Sequence, residues 1–582
     1  MANDKGRPRF DKNVPVSSGG SPGNAGKPSA PPAKVITPIP LQRSETPPKK
    51  GTTPPAGRAV GDPPRSKAAR LQPRNPGRLT SLDAFRGFVM LMLAAAGFGI
   101  AQFAEIDEAS PVWQIVNRET WQKIAFHFEH PAWRSNFKPS FLEKALPEPT
   151  DPEQTPSADD ETPPTDADSQ DAPSDAADAI TPPHPVAEGD PANTDHNAPA
   201  IASETEFLKF GVSFWDLIQP AFMFIVGVAM PFSNARRWSD GQNAAGRMLH
   251  AIWRAFALVL LGVFLYSVGS ERTNWIFPNV LAQIGLGYAF AFVLLPLRSW
   301  VQIVILALVL GGYWGLFKAN PPAADYNYAK VNASAERGEV YEGKFAPWSK
   351  NANIAHKFDV NFLNRLRTLS DEDLEKHEIP ADARSWCPET IRKWFFANDD
   401  PFLFNGGGYQ TLNFIPSLGT IILGILCGQL LLSTAGAGKK LGLLLLGGAL
   451  CLVLGLAAGE FACPIVKRIW TPSWVLFSGG YVIWMLAAFY FVFDVLPLKI
   501  LAFPLTVFGM NSLAVYLMGE LLRGWTREKV VKIHLTGILE TIFGTDKLAP
   551  DMFGLIIYAA ATVFVFWLVT LWMNSRKIFV RL

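Results

Sequence analysis

The sequence predicts an all-α polytopic membrane protein with about ten transmembrane helices. Three observations carry that prediction. Of the 582 residues 48% are hydrophobic, the apolar residues gather in long runs, and Pro and Gly, 47 of each, break the chain too often for an average soluble protein. A bilayer core takes roughly 20 helical residues to cross, and ten runs come near that length, at about 82–104, 212–233, 248–269, 278–297, 299–317, 411–433, 439–459, 473–493, 498–522 and 552–573.

The elements divide as follows. Residues 1–78 are rich in Pro, Gly, Ser, Lys and Arg without apolar periodicity, and read as a disordered basic cytoplasmic tail. No apolar segment follows the early charges, so a signal peptide is not expected. Residues 79–142 hold the first transmembrane helix and an outer interfacial helix. Residues 143–206 are acidic and rich in Pro and Ala, and read as a disordered insert. Residues 207–582 carry the remaining spans, with a large outside loop at about 318–410.

Lys and Arg set the orientation. With the tail inside, Arg236, Arg237, Arg247, Arg298, Lys439, Lys440, Lys499, Arg576, Lys577 and Arg581 fall inside as well, and both termini are cytoplasmic. Residues 105–211, the loop at 318–410, the stretch "CPIVKRIWTP" and residues 523–551 then lie outside. Lys467 and Arg468, in that stretch, count weakly against the scheme. The net charge of +2 is uninformative as a sum, because the basic and acidic segments are separate. No nucleic-acid partner is expected. The lipid bilayer is.

Ionisable groups in or beside apolar runs are costly and mark polar cavities. "LTSLDAFRGFVML" places Asp83 and Arg86 one turn apart, "VSFWDLIQP" places Asp216 at the start of the second run, and "FGMNSLAVYLMGELLRG" places Asn511 and Glu520 in the ninth. A structural ion pair explains Asp83 and Arg86 as well as catalysis does. A cavity between helices accounts for all five, and both a membrane enzyme and a transporter need one.

In "FEHPAWRS", His130 precedes Pro131 and Trp133. Ser110 and Pro111 look like an N-cap and first helical position, and Trp121, Ile124, Ala125 and Phe128 recur at helical spacing, which predicts an amphipathic helix ended by Pro131. His130 then has three readings: an interfacial histidine, a metal ligand with His127, or a general base or acyl acceptor. No further Cys or His cluster supports a metal. Of the four cysteines, Cys427 and Cys451 fall inside predicted helices, while Cys387 and Cys463 share the outside and could bridge. "NGGGYQTLN" lacks the Lys-Ser/Thr of a phosphate loop and reads as a flexible helix mouth.

Together "RLTSLDAFRGFVML", "EHPAW", "FWDLIQPAFMFIVGVAMPFS", "NVLAQIGLGYAF", "RIWTPSWVLFSGG" and "FGMNSLAVY" resemble, in this order, the heparan-alpha-glucosaminide N-acetyltransferase family and its uncharacterised bacterial branch. The resemblance covers most of residues 79–582 outside the acidic insert. It departs from the family at Gly97, where members carry Asn, at Ala282 and Gln283, and at Arg134 and Ser135. It implies a membrane enzyme that passes acetyl from cytoplasmic acetyl-CoA to an amino sugar on the far side; a sugar hydroxyl as acceptor, a bacterial inner membrane, no metal and a homodimer are the further expectations for this chain.

The resemblance maps the active-site histidine onto His130 and its motif tryptophan onto Trp133. Asp216 is the expected orienting carboxylate. Arg86, Arg236, Arg237 and Arg254 are the expected phosphate-binding groups of acetyl-CoA, and Asp83, Trp133, Asn511 and Glu520 the expected cavity residues. The competing classes are a secondary transporter or flippase-like carrier and a non-catalytic membrane scaffold.

Overall fold

The computed structural model describes residues 79–129, 133, 212–380, 383 and 387–580, which are helical with no strand among them. The basic tail, the acidic insert and His130 lie outside the described residues.

Helix α1 (Thr80–Ala95) starts where the Asp494 carboxylate accepts the backbone N–H groups of Thr80 and Ser81. Two orphan donors are thereby satisfied by a negative charge at the positive end of the helix dipole. The predicted first span does not run on unbroken. Ala96, Gly97, Phe98 and Gly99 all take left-handed angles, φ 44°, 63°, 58° and 67°, before α2 (Ile100–Ala104) resumes. Gly97 is required at this break, because a Cβ there would sit 2.8 Å from the Phe128 ring.

The single amphipathic helix expected after Ser110 is two pieces, α3 (Val112–Ile115) and α4 (Arg118–Ala125), followed by a 3-10 turn at Phe126–Phe128. Val116 is extended, and Asn117 caps the second piece by accepting from the Thr120 N–H at 2.9 Å. The Ser110 hydroxyl accepts the Val112 N–H at 3.3 Å at the start of the first piece, as expected of a cap, and donates to the Asp551 carbonyl. Trp113, Trp121 and Phe553 pack around the fully buried Phe103. These contacts hold the expected outer interfacial segment against Phe553 and leave Ile115 and Ile124 exposed.

Helix α5 (Phe214–Ser239) is capped by Ser213, whose hydroxyl accepts from the Asp216 N–H, and α6 (Ala244–Tyr266) by Asn243. The fourth apolar run forms α7 (Val280–Leu294), whose 15 residues extend only about 22 Å against a bilayer core of about 30 Å. After α8 (Ser299–Lys318), the large loop carries three short helices, α9 (Ile354–Asn364), α10 (Asp371–Lys376) and α11 (Glu389–Phe395). Then come α12 (Phe414–Leu432), α13 (Ala437–Phe461) and α14 (Pro472–Tyr490).

The ninth run is not one helix. Helices α15 (Lys499–Met510) and α16 (Ser512–Trp525) meet at a bend of 69° at Asn511, and a π-helical segment leads on into α17 (Thr536–Phe543). Helix α18 (Gly554–Ser575) follows. Eight helices among the described residues are long and apolar enough to cross a membrane, or nine if the bent pair counts as one span, where about ten were expected.

Small residues hold the bundle together. Helices α5 and α12 cross where a Cβ on Gly227, Gly424 or Gly428 would lie 2.1, 2.2 or 2.4 Å from a carbonyl oxygen of the partner helix. Such close backbone approach is how helices gain packing energy where lipid supplies no hydrophobic drive. Cys427 and Cys451 are buried within their helices, and all four cysteines are free. Cys463 lies 3.5 Å from the Ser473 hydroxyl, so the bridge to Cys387 is not formed.

Candidate functional site

Two polar sites lie at opposite ends of α5. Its 26 residues place Asp216 and Arg237 about 32 Å apart along the axis, close to the thickness of a bilayer core.

At the first end Asp216, in the opening turn of α5, meets Lys467 from the α13–α14 connection. The Lys467 Nζ to Asp216 Oδ1 distance is 3.1 Å, with both side chains more than nine-tenths buried. Removing two charges from water is stabilising only in a good pairing geometry, so this one is built rather than incidental. The sequence flagged Asp216 but treated Lys467 as a weak topology signal. The clue to its role was a cation inside the apolar stretch "CPIVKRIWTP".

The same connection reaches Trp133. The Arg468 guanidinium donates to the Gly407 carbonyl, and Gly408, at φ 77°, packs on the Trp133 ring, where a Cβ would come within 2.5 Å. The last glycine of the run in "NGGGYQTLN" therefore makes room for a tryptophan. Trp133 is 3% exposed, donates to the Trp348 carbonyl at 3.3 Å, and shares a cluster with Tyr313, Phe317, Val466 and Ile469.

Below it the Lys350 ammonium pairs with Glu339 at 2.7 Å, and Arg337 reaches the same carboxylate at 3.0 Å. Burial pushes the Lys350 pKa down, against the pull of Glu339. The stretch "APWSKNANIAHKFD" thus anchors the loop against the Trp133 face, with Asn353 capping α9. His127 is partly buried on the nearby turn, and desolvation lowers its pKa.

At the far end of α5, a pocket is lined by Asn234, Arg237, Arg247, His250, Arg254 and Tyr288 with apolar neighbours. Arg237 Nη2 lies 2.6 Å from His250 Nε2, and the Arg254 guanidinium stacks over the Tyr288 ring at 5.0 Å. Three arginines and no carboxylate are among the lining residues, so this end of α5 is electropositive.

Of the four arginines expected to bind phosphate, Arg237 and Arg254 line this pocket. Arg236 is exposed, and Arg86 lies 4.0 Å from Asp83 at the start of α1. Arg247 and His250 were missed as site residues, although 247, 250 and 254 stand three and four residues apart on one face of α6.

The remaining cavity residues separate. Both ends of the Asn511 amide are occupied, donating to Asn574 Oδ1 at 2.9 Å and accepting from the Val580 N–H at 3.2 Å, so Asn511 ties the α15–α16 bend to the segment after α18. Glu520 is half-buried on α16, one turn before Arg523, whose charge it attracts. Neither joins Asp216 or the arginine pocket.

The fold and these sites define an all-helical integral membrane protein with buried polar sites at both ends of one helix. Among curated proteins, the chain is 26% identical over 352 residues to heparan-alpha-glucosaminide N-acetyltransferase of Homo sapiens, an alignment covering 54% of this chain and 48% of that protein. The chain thus spans about half the length of this relative. No family profile matches it.

Proposed function

We propose that the protein is a transmembrane acyltransferase that takes acetyl from acetyl-CoA at the arginine pocket and delivers it to a sugar amine or hydroxyl at the Asp216–Lys467 end. The observation that carries the reading is the arrangement along α5: an electropositive pocket without a lining carboxylate at one end, and a buried acid–base pair beside Trp133 about a bilayer away. The distant likeness to a membrane acetyltransferase supports it.

The excess of Lys and Arg in the connections at the pocket end favours a cytoplasmic side for that end and for both termini, and the reading takes the membrane to be a bacterial inner membrane. Arg237, Arg247 and Arg254 hold the phosphates, with Arg236 and Arg86 adding positive potential at the same end. The pantetheine arm carries the thioester from the pocket along α5 into the bundle, where an acceptor nitrogen or oxygen entering from the Asp216–Lys467 end attacks the carbonyl, the carbon–sulfur bond breaks, and coenzyme A leaves as its thiol. His130 accepts the acceptor's proton, and Asp216, held by Lys467, orients the imidazole or the acceptor. An acetyl-histidine intermediate reaches the same products in two steps.

Thermal unfolding of the purified protein with acetyl-CoA tests the reading without knowledge of the acceptor. Acetyl-CoA at about 100 times its Kd adds roughly 2.7 kcal/mol and raises the midpoint, while adenosine does not. Arg237→Ala and Arg254→Ala weaken the shift. The absence of any shift at saturation overturns the acyltransferase reading and favours a carrier or a scaffold. His130→Ala is expected to abolish transfer to glucosamine and keep the acetyl-CoA shift.

A further inference from the structure

Beneath the large loop lies a carboxylate that the acyl-transfer reading does not use. Asp359, on α9, is 2% exposed. Its Oδ2 accepts the Thr411 N–H at 2.9 Å, capping the turn that opens α12, and its Oδ1 has no hydrogen-bond partner. A carboxylate this deep needs a compensating charge, a metal or a proton. No basic side chain contributes to its ionisation balance: the charged state is opposed by burial and favoured only by the Thr411 backbone and hydroxyl, which leaves its pKa pushed up to about 7.

Around it are other buried oxygens without partners. Gln283 of α7, 2% exposed, spends its Nε2 on three backbone carbonyls, those of Phe277 at 2.8 Å and of Gln410 and Thr411 at 3.3 Å each. That bonding fixes which end of the amide is nitrogen and leaves Oε1 without a donor. Gln410, 1% exposed, lacks a partner at both amide atoms, and the Thr411 hydroxyl has no well-formed hydrogen bond. Four neighbouring residues thus offer one carboxylate oxygen, two amide oxygens and one hydroxyl, none with a well-formed hydrogen bond to the protein. Native interiors rarely leave so many polar atoms unmet in one place. The other titratable groups nearby are His356 on the same helix, which burial keeps neutral, and Tyr313 from α8.

We propose that Asp359, Gln283, Gln410 and Thr411 form a binding site for a hard monovalent cation, for which sodium is the probe. Oxygen-only ligands suit a hard cation. One carboxylate balances one positive charge, whereas a divalent ion would leave a buried net charge. The site joins α7, α9 and the turn before α12, so a bound ion pins the large loop to the bundle. The Asn413 side chain, two residues past Thr411, donates to the Arg468 carbonyl at 2.7 Å, next to Lys467. Ion binding thereby bears on the geometry of the Asp216–Lys467 end, whatever reaction that end performs.

The test is thermal unfolding of the full-length purified protein in sodium chloride titrated against N-methylglucamine chloride at constant ionic strength. The midpoint rises saturably with sodium in the wild type and is flat in Asp359→Asn, which keeps the cap on the Thr411 N–H and loses the charge. Thr411→Val, which keeps that backbone N–H, raises the sodium concentration for half-effect by tenfold or more. A wild-type midpoint indifferent to sodium between pH 6 and 8 overturns the proposal and makes Asp359 a protonated acid. A sodium response that survives in Asp359→Asn overturns it too, by placing the ion elsewhere.

Discussion

At the scale of single residues, burial has split two neighbours on α9 in opposite directions. His356 is pushed down to about 4 and Asp359 up to about 7. Between about pH 4 and 6.5, the unfolded chain holds a proton on His356 that the folded protein has released, so this group makes stability rise with pH by up to about 3 kcal/mol. Between about pH 4 and 7, the folded protein holds a proton on Asp359 that the unfolded chain has lost, so this group makes stability fall by up to about 4 kcal/mol. In sodium-free buffer the two largely offset. Asp359→Asn is expected to leave the His356 rise alone, and denaturation midpoints from pH 4 to 7 check this: a profile that still falls in the variant contradicts it. The Asp216–Lys467 pair is the other residue-scale test. Lys467→Met should destabilise by about 3 to 5 kcal/mol in denaturant titration, because it removes the buried countercharge of a carboxylate, and Lys467→Arg should recover part of the loss.

At the scale of elements, apolar length and composition were readable, and continuity was not. Each predicted run became helix, but α1 breaks at Ala96, α7 stops at 15 residues, and the ninth run bends at Asn511. Hydropathy counts apolar side chains and carries no term for a left-handed backbone turn or a 69° bend; only Gly97 and Gly99 hinted at the first. The small-residue crossings were equally hidden, since nothing in the sequence tells Gly227 in a contact from Gly311 in open space. The structure does tell them apart. Gly227→Ala and Gly424→Ala push a methyl into a backbone carbonyl and should each cost about 1 to 3 kcal/mol. Gly311→Ala meets nothing within 4 Å and should be neutral or stabilising, by up to about 1 kcal/mol. Midpoints for the three variants separate packing from helix propensity.

At the scale of the whole molecule, the sequence located the polar ends better than it located their members. Asp216 was legible because an acid opening an apolar helix is expensive, and Arg237 and Arg254 because basic residues cluster at span ends. Lys467 was not, because its partner stands 251 residues away and no local pattern reports it. The two-ended arrangement predicts how the protein faces the membrane. Trp238→Cys, beside the arginine pocket, should react with an impermeant maleimide only from the cytoplasmic side, and Glu342→Cys, in the large loop, only from the opposite side, each scored against the unmodified four-cysteine protein. Labelling of both from one face would remove the topology on which the proposed direction of transfer rests.

The 251-residue interval between Asp216 and Lys467 also has a meaning in time. At a synthesis rate of about 5 to 20 residues per second, roughly 13 to 50 seconds separate the appearance of the acid from that of the lysine that neutralises it. During that interval α5 must be held at the membrane with its first turn lacking that lysine, while five later apolar helices, four of them long enough to span, are delivered. Biogenesis, more than the finished fold, is where an early carboxylate at the head of a span is exposed to quality control, and a chain stalled before residue 467 is the form that control would meet.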